Sequence, residues 1–305
     1  MWSLDSCCRA AHGCVAAAVL SGCGAPFAQT GANTSIPSGV PITDSNLLYV
    51  SSEEQIDLYT YPQGKSVGSL GIAGTGICAD RAGNVFIPLF WYNEILEYAH
   101  GGNSPIATLE TARNPADCAI DPATGTLAVT ISDGIQTFSH RSGGWGPPQT
   151  YTQPDGTQVS YCAYDSSGDL FLDGYTSGST FSLIEMPAGG SGTFTTVSLN
   201  KYFEFAGGLF WDHGELMISD SQRNQPTVIY QFKIAGNRGS EVGSTVLNHG
   251  TRSDRFLIHA STVVTSTRHG VGFWPYPAGG DAKRVLRIDN GFYGVALSVA
   301  RGHKL

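Results

Sequence analysis

Charged residues are scarce in this 305-residue chain: Asp, Glu, Lys and Arg make up only 14% of it, against about a quarter in an average globular protein. The 17 Lys and Arg residues are scattered and the net charge is −8. A nucleic-acid surface calls for a basic stripe, so nucleic acid is disfavoured as a partner. Sustained helical periodicity is missing throughout, which disfavours a helical protein. No Cys-x-x-Cys occurs after residue 23, so the spacing of a thiolate metal site is absent. Neither a strand-turn-helix Gly-x-Ser-x-Gly nor a Ser/His/Asp constellation by position is present, which removes the usual marks of a serine hydrolase. What is abundant is glycine, 39 residues, within a composition that is 41% hydrophobic. That balance describes a turn-rich all-β protein.

The chain repeats itself. Short apolar runs end at a turn residue in GICAD (76–80), DCAID (117–121), YCAYD (161–165), GLFWD (208–212), RFLIH (255–259) and ALSVA (296–300). The turn positions 80, 121, 165, 212, 259 and 300 are 41, 44, 47, 47 and 41 residues apart. An aromatic strand running into glycine keeps step with them, as in YPQG (61–64), MPAGG (186–190) and WPYPAGG (274–280). Periods in the low-to-mid forties are those of propeller blades.

One repeat shows why. After GICAD, the turn Asp80-Arg81-Ala82-Gly83-Asn84 offers a carboxylate to its own backbone N–H groups and a glycine that tolerates positive φ. VFIPLF (85–90), ILEYA (95–99) and PIATL (105–109) then supply three more extended runs. Four antiparallel strands, a to d, make a sheet too small to bury both faces alone, and stacking six around an axis covers them. LLYVSS (47–52), IDLYTYP (56–62) and VGSLG (67–71) supply b, c and d with no a before them, while GVALSVA (294–300) is an a strand with nothing after it. The expected fold is therefore an all-β, six-bladed β-propeller with terminal, velcro-type closure over residues 45–300, followed by a tail at 301–305. Because repeats share one continuous core, this is a single domain despite its length.

The first 22 residues read as a leader. Arg9 is followed by a short small-and-apolar stretch from Gly13 to Leu20, closed by Leu20-Ser21-Gly22-Cys23. This resembles the bacterial lipobox, and the resemblance implies cleavage before Cys23, a diacylglycerol on its sulfur and, usually, acylation of the new amino group. The apolar stretch is too short for a membrane-spanning helix. An ordinary secretory leader cut near Ala25 or Ala28 is the alternative. Residues 23–44, small, polar and proline-bearing, read as a flexible tether. The expected location is that of an exported, membrane-anchored lipoprotein of the bacterial cell envelope.

Removal of the leader and acylation of Cys23 leave Cys78, Cys118 and Cys162, an odd number in an oxidising compartment. Cys78 could meet Cys118 across the interface between neighbouring blades. Residue type favours instead three unpaired small side chains buried in the inner strands.

The d-to-a and b-to-c connections of a propeller gather at one end of the ring, where loops carry sites. The strand-a starts expected to line the channel mouth there are Gly76, Asp117, Tyr161, Gly208, Arg255 and Gly294. Trp91 and Tyr92, and Arg268 and His269, stand in b-to-c loops of the same end. Candidate ligand-binding residues are therefore Trp91, Tyr92, Asp117, Tyr161, Arg255, Arg268 and His269. Each aspartate of the a-to-b turns is explained by local backbone bonding.

The repeats GICADRAGNVFI (76–87) and CAIDPATGTLAV (118–129) resemble the NHL/SMP-30-like β-propellers, in particular lipobox-bearing ones of environmental bacteria with a GxAxDxxGN turn and a YPxG hairpin. The resemblance covers nearly all of the chain after the leader, and it lies in architecture and turns. From the SMP-30 branch it implies a gluconolactonase-like, metal-dependent hydrolase, or else a propeller lyase, as one reading. Yet hard cations need several converging oxygens, and of the six mouth positions only Asp117 has a carboxylate. The residues imply no cofactor; a divalent cation belongs to the hydrolase reading. The preferred reading is a non-catalytic binding or scaffold module, held to the membrane through lipid on Cys23, with an envelope protein, peptide or glycan as partner.

Overall fold

Extended segments a few residues long, cut by aspartate and glycine turns, can bury themselves only by stacking sheet on sheet. A computed structural model describes residues 44–152, 156–189, 192–221, 225–251, 255–267, 269–288 and 292–300. It shows six small sheets arranged as the blades of a propeller, antiparallel except where the short strands Ser198–Leu199 and Gly280–Asp281 join the fourth blade in parallel. Running outward from the axis, the first blade is Cys78–Ala79, Val85–Leu89, Glu94–Tyr98 and Pro105–Glu110. The next four repeat this order, starting from Cys118–Ile120, Gln158–Tyr164, Leu209–Asp212 and Leu257–His259. Among the described residues no helix is long and apolar enough to cross a membrane.

The sixth blade joins the two ends of the domain. Phe292–Ser298 pairs antiparallel with Asn46–Ser52, which continues to Ile56–Tyr61 and Ser66–Leu70. Polar contacts fasten the seam: Asn46 Oδ1 accepts from Ala300 N at 3.0 Å, and Ser298 Oγ bonds the Gly83 carbonyl of the first blade. The register differs from the motif alignment. Gly294 stands opposite Ser51 as Tyr161 stands opposite Asp173, so Ser298 rather than Ala300 holds the place of the turn aspartate. A serine there disguises the repeat.

Each interface between neighbouring blades has its own apolar cluster. Val85, Ile87 and Leu96 of the first blade pack on Leu47, Tyr49 and Ile56 of the sixth, and Phe86 and Ile95 meet Val129 and Phe138 of the second. The same segment feeds both interfaces because successive side chains of a strand point to opposite faces. Hence Val85–Leu89 is buried at every position, whereas the outermost strand Pro105–Glu110 is mostly exposed. The second blade also carries a small hairpin, His140–Arg141 with Gly144–Trp145. Its Trp145 lies edge-on to Phe86 and donates to Glu97 Oε2 at 2.8 Å, tying second blade to first.

The cysteines depart from the reading of three unpaired side chains. Cys78 and Cys118 form a disulfide between the first and second blades, with Cα atoms 5.7 Å apart. Both belong to the one cluster that fills this interface, so the two strands present them face to face at a spacing a disulfide accepts. Cys162 remains a buried free thiol in the next interface.

Candidate functional site at the ring axis

The a-to-b turns are held as local chemistry predicts. Asp80 Oδ1 accepts from Asn84 N at 2.8 Å, and Gly83 has φ +86°. Asp121 accepts from Ala123 N at 2.8 Å, and Asp165 from Ser167 N and Asp169 N at 2.7 and 2.9 Å. These carboxylates are committed to their own turns.

At the other end of the inner strands, Asp117 and Arg255 meet. They start strand a in the second and fifth blades, which face each other across a six-membered ring, so their contact spans the axis. Arg255 Nη1 donates to Asp117 Oδ1 and Oδ2 at 2.6 and 2.5 Å, and Nη2 donates to the Cys118 carbonyl at 2.7 Å. Asp117 also accepts from Cys162 N at 3.0 Å. Glycine at neighbouring strand starts leaves the room: a Cβ on Gly76 would stand 2.2 Å from Asp117 Oδ1. Asp117 is 1% exposed and Arg255 9%. Burial pushes the Asp117 carboxyl upward, while the Arg255 guanidinium and the N–H groups of Cys162 and Cys118 oppose that push. With the guanidinium always protonated, the two form an ion pair that closes this end.

Buried polar side chains surround the pair, on strand b opposite the strand-a starts of several blades. Thr130 Oγ1 accepts from Asp117 N and donates to the Ser160 carbonyl of the next blade. Ser51 Oγ donates to the Thr75 carbonyl, also in the following repeat. Thr265 Oγ1 donates to the Arg255 carbonyl at 3.0 Å. Asp173, fully buried, accepts from Tyr161 N at 3.2 Å and from Gly207 N, at the start of the next blade, at 3.1 Å. Its desolvation lifts the carboxyl well above the usual range, against the pull of those two N–H groups, and nearby Asp117 adds to the rise. Burial, and then Asp117, push the Cys162 thiol well up, so it stays protonated and unreactive.

Of the sequence candidates, Asp117 and Arg255 are thus in direct contact, and Tyr161 sits beside them through its bond to Asp173. Trp91 and Tyr92 belong to the same end but stand free in solvent, 82% and 69% exposed. Trp91 is supported edge-on by Phe90, with centroids 4.9 Å apart. His269 is exposed in the turn before Gly270–Pro275, its N–H donated to Thr267 Oγ1. Arg268 and Cys23 lie outside the described residues. Among the described residues, no group of three or more His, Cys, Asp or Glu side chains is placed to hold a metal ion.

The channel opens at the other end. A cavity of about 430 Å³ runs along the axis from Arg255, past Cys162, Phe210 and Ala296, to a rim formed by Asp80, Arg81, Ser166, Trp211 and His259. The rim belongs to the a-to-b turns and the strand ends leading into them. The expected mouth at the d-to-a and b-to-c end is instead the sealed floor, because two opposite charges placed there attract each other across the axis. Sequence reasoning missed Asp173 and the other buried polar side chains around the pair altogether. The available signal was the aspartate in LFLDGY, a charge inside an otherwise buried run.

No family model matches this chain, and no curated protein does. Solved structures match in fold. A chain of a nidogen/laminin complex aligns with a TM-score of 0.67 at 12% identity, covering 84% of this chain and 99% of that one. A 6-phosphogluconolactonase-like protein from Bacteroides fragilis gives 0.55 at 12% identity over 85% and 99%, and a luciferin-regenerating enzyme 0.56 at 12% over 72% and 78%. All three likenesses are likenesses of fold. The chain is a six-bladed β-propeller.

Proposed function

We propose that this protein is an exported, lipid-anchored propeller that binds a protein, peptide or glycan of the cell envelope through the loop end of the ring. The observation that carries the reading is how that end divides its side chains. The ionised pair Asp117–Arg255 is buried and spent on itself, while Trp91 and Tyr92 project from a b-to-c loop and Tyr202, 78% exposed, from a d-to-a loop. Large rigid aromatics on a stiff scaffold are contact residues of low entropic cost. The disulfide between Cys78 and Cys118 supports an oxidising compartment, and Leu20-Ser21-Gly22-Cys23 supports the anchor. One of the three similar folds comes from a complex of two proteins and two from enzymes, so fold does not choose between binding and catalysis.

The test is capture from envelope extracts by the purified domain, wild type against Trp91→Ala/Tyr92→Ala. Loss of the captured partner with an unchanged melting temperature supports the reading. Equal capture by both proteins contradicts it. Fractionation of cells expressing the full chain tests the anchor, since Cys23→Ser should move the protein from membrane to soluble fraction. The metal-dependent hydrolase regains its place if added calcium or zinc raises the melting temperature strongly.

A further inference from the structure

The axial cavity lies at the opposite end from the aromatic loops and has its own chemistry. Its volume, about 430 Å³, falls in the range of small-molecule pockets. Its walls are unusual in being sheet edges. Strand a is the terminal strand of every blade, so one row of its N–H and C=O groups has no sheet neighbour and faces the axis. Apolar rings complete the lining. Phe210 packs against both the fourth-to-fifth and the fifth-to-sixth blade interfaces, which requires its ring to reach along the inner wall. Trp211 stacks flat on Phe171, 5.7 Å between centroids and 4° between planes, and stays half-buried at the rim.

The interior carries no net charge. Arg255 at the floor is neutralised by Asp117, and His259 at the rim is held below its ordinary pKa by burial, hence neutral at pH 7. Asp80 accepts from Asn84 N and Nδ2 and stands next to Arg81. An ionised ligand would enter without a counter-charge and give up its hydration, whereas a neutral one loses little.

We propose that this cavity is a binding site for a small uncharged molecule with a flat apolar body and hydrogen-bonding groups at its edge. The rings take the body, and strand-edge groups above the Asp117–Arg255 pair take the polar groups. Recognition is then independent of the loop end.

N-phenyl-1-naphthylamine, uncharged, flat and fluorescent in apolar surroundings, is the probe. The purified protein should bind it saturably, one molecule per chain, with energy transfer from Trp211. Ser166→Trp, at an exposed rim position of a turn, should weaken binding about tenfold or more, through loss of contact area at the mouth, without altering the melting temperature. Arg81→Trp is the second rim block should the first variant unfold. Trp211→Phe keeps a ring on Phe171 and should leave the affinity within about threefold. Trp91→Ala should leave binding of the probe unchanged. The proposal is overturned if binding does not saturate, if the rim variants bind like wild type, or if Trp91→Ala abolishes binding, which would place the probe on the loop end.

Discussion

The two ends of the ring are made by the same six short inner strands, and they handle polarity in opposite ways. At one end a carboxylate and a guanidinium are buried, each with several partners, inside a belt where Ser51, Thr130, Asp173 and Thr265 all have bonds to main chain. At the other end, around the open cavity, the turn carboxylates are bonded within their own turns, Asp121 and Asp165 buried and Asp80 and Asp212 half-buried. Burial of charge is tolerated where the partner is fixed by the ring itself. Where the strand ends diverge into turns the carboxylates find their partners within the turn, as Asp121 and Asp165 do, rather than across the ring, and the axis stays open.

The largest expected effect comes from removing what holds both ends together. Truncation after residue 293 deletes five of the six residue pairs that join the inner strand to Asn46–Ser52, and exposes two blade faces and a sheet edge. Cooperative unfolding in denaturant should disappear. Deletion of residues 24–40 should leave the melting temperature nearly unchanged. A truncated protein that melts like the intact one would contradict closure by the sixth blade.

Next in size is the disulfide, which begins one residue past the sealed end. Cys118→Ser opens a bridge of sequence separation 40 and should cost about 2–4 kcal/mol. Reducing agent should reproduce that loss in the wild type and leave the variant unmoved, as read by denaturant midpoint. Equal midpoints for reduced and oxidised wild type would show that the bridge contributes nothing.

A smaller effect is read by pH at the sealed end. Burial raises the Asp173 carboxyl in the folded protein, so between the unfolded value, about 3.9, and the raised folded value the native state binds a proton that the unfolded chain has released. Stability from this group is therefore full below the unfolded pKa and is lost as pH rises through the folded one. Asp173→Asn should flatten the fall of stability with pH over that window, although it forfeits one of the two N–H bonds and about 1 kcal/mol with it.

How much of this was legible in the sequence follows the range of each interaction. The turn aspartates and glycines bond within four residues, as Asp80 does with Asn84, so the repeat, the blades and the six-fold count could be read directly. The seam strand could be found, but its register slipped by two because Ser298 replaces aspartate. The ion pair joins residues 138 apart in sequence, and no local pattern says which strand starts face each other until the count of blades is known. Given six, the second and fifth are opposite, and the closure of that mouth could have been derived. The disulfide turned on which face each of two short strands presents, a parity that residue type does not encode. Asp173 was hidden because a buried charge in a strand looks like noise until its N–H partners on the next blade are in place.

The central claim is that Asp117 and Arg255 close the axis as a pair, and a double-mutant cycle tests it most directly. Asp117→Leu alone strands a buried guanidinium and Arg255→Met alone strands a buried carboxylate, so each should cost about 3–5 kcal/mol. His259→Ala, on the same strand at the open end, should cost about 1 kcal/mol. The double variant leaves no unpaired charge and should be more stable than either single one, with a coupling of about 2 kcal/mol or more by denaturant unfolding. Losses that simply add would contradict the account.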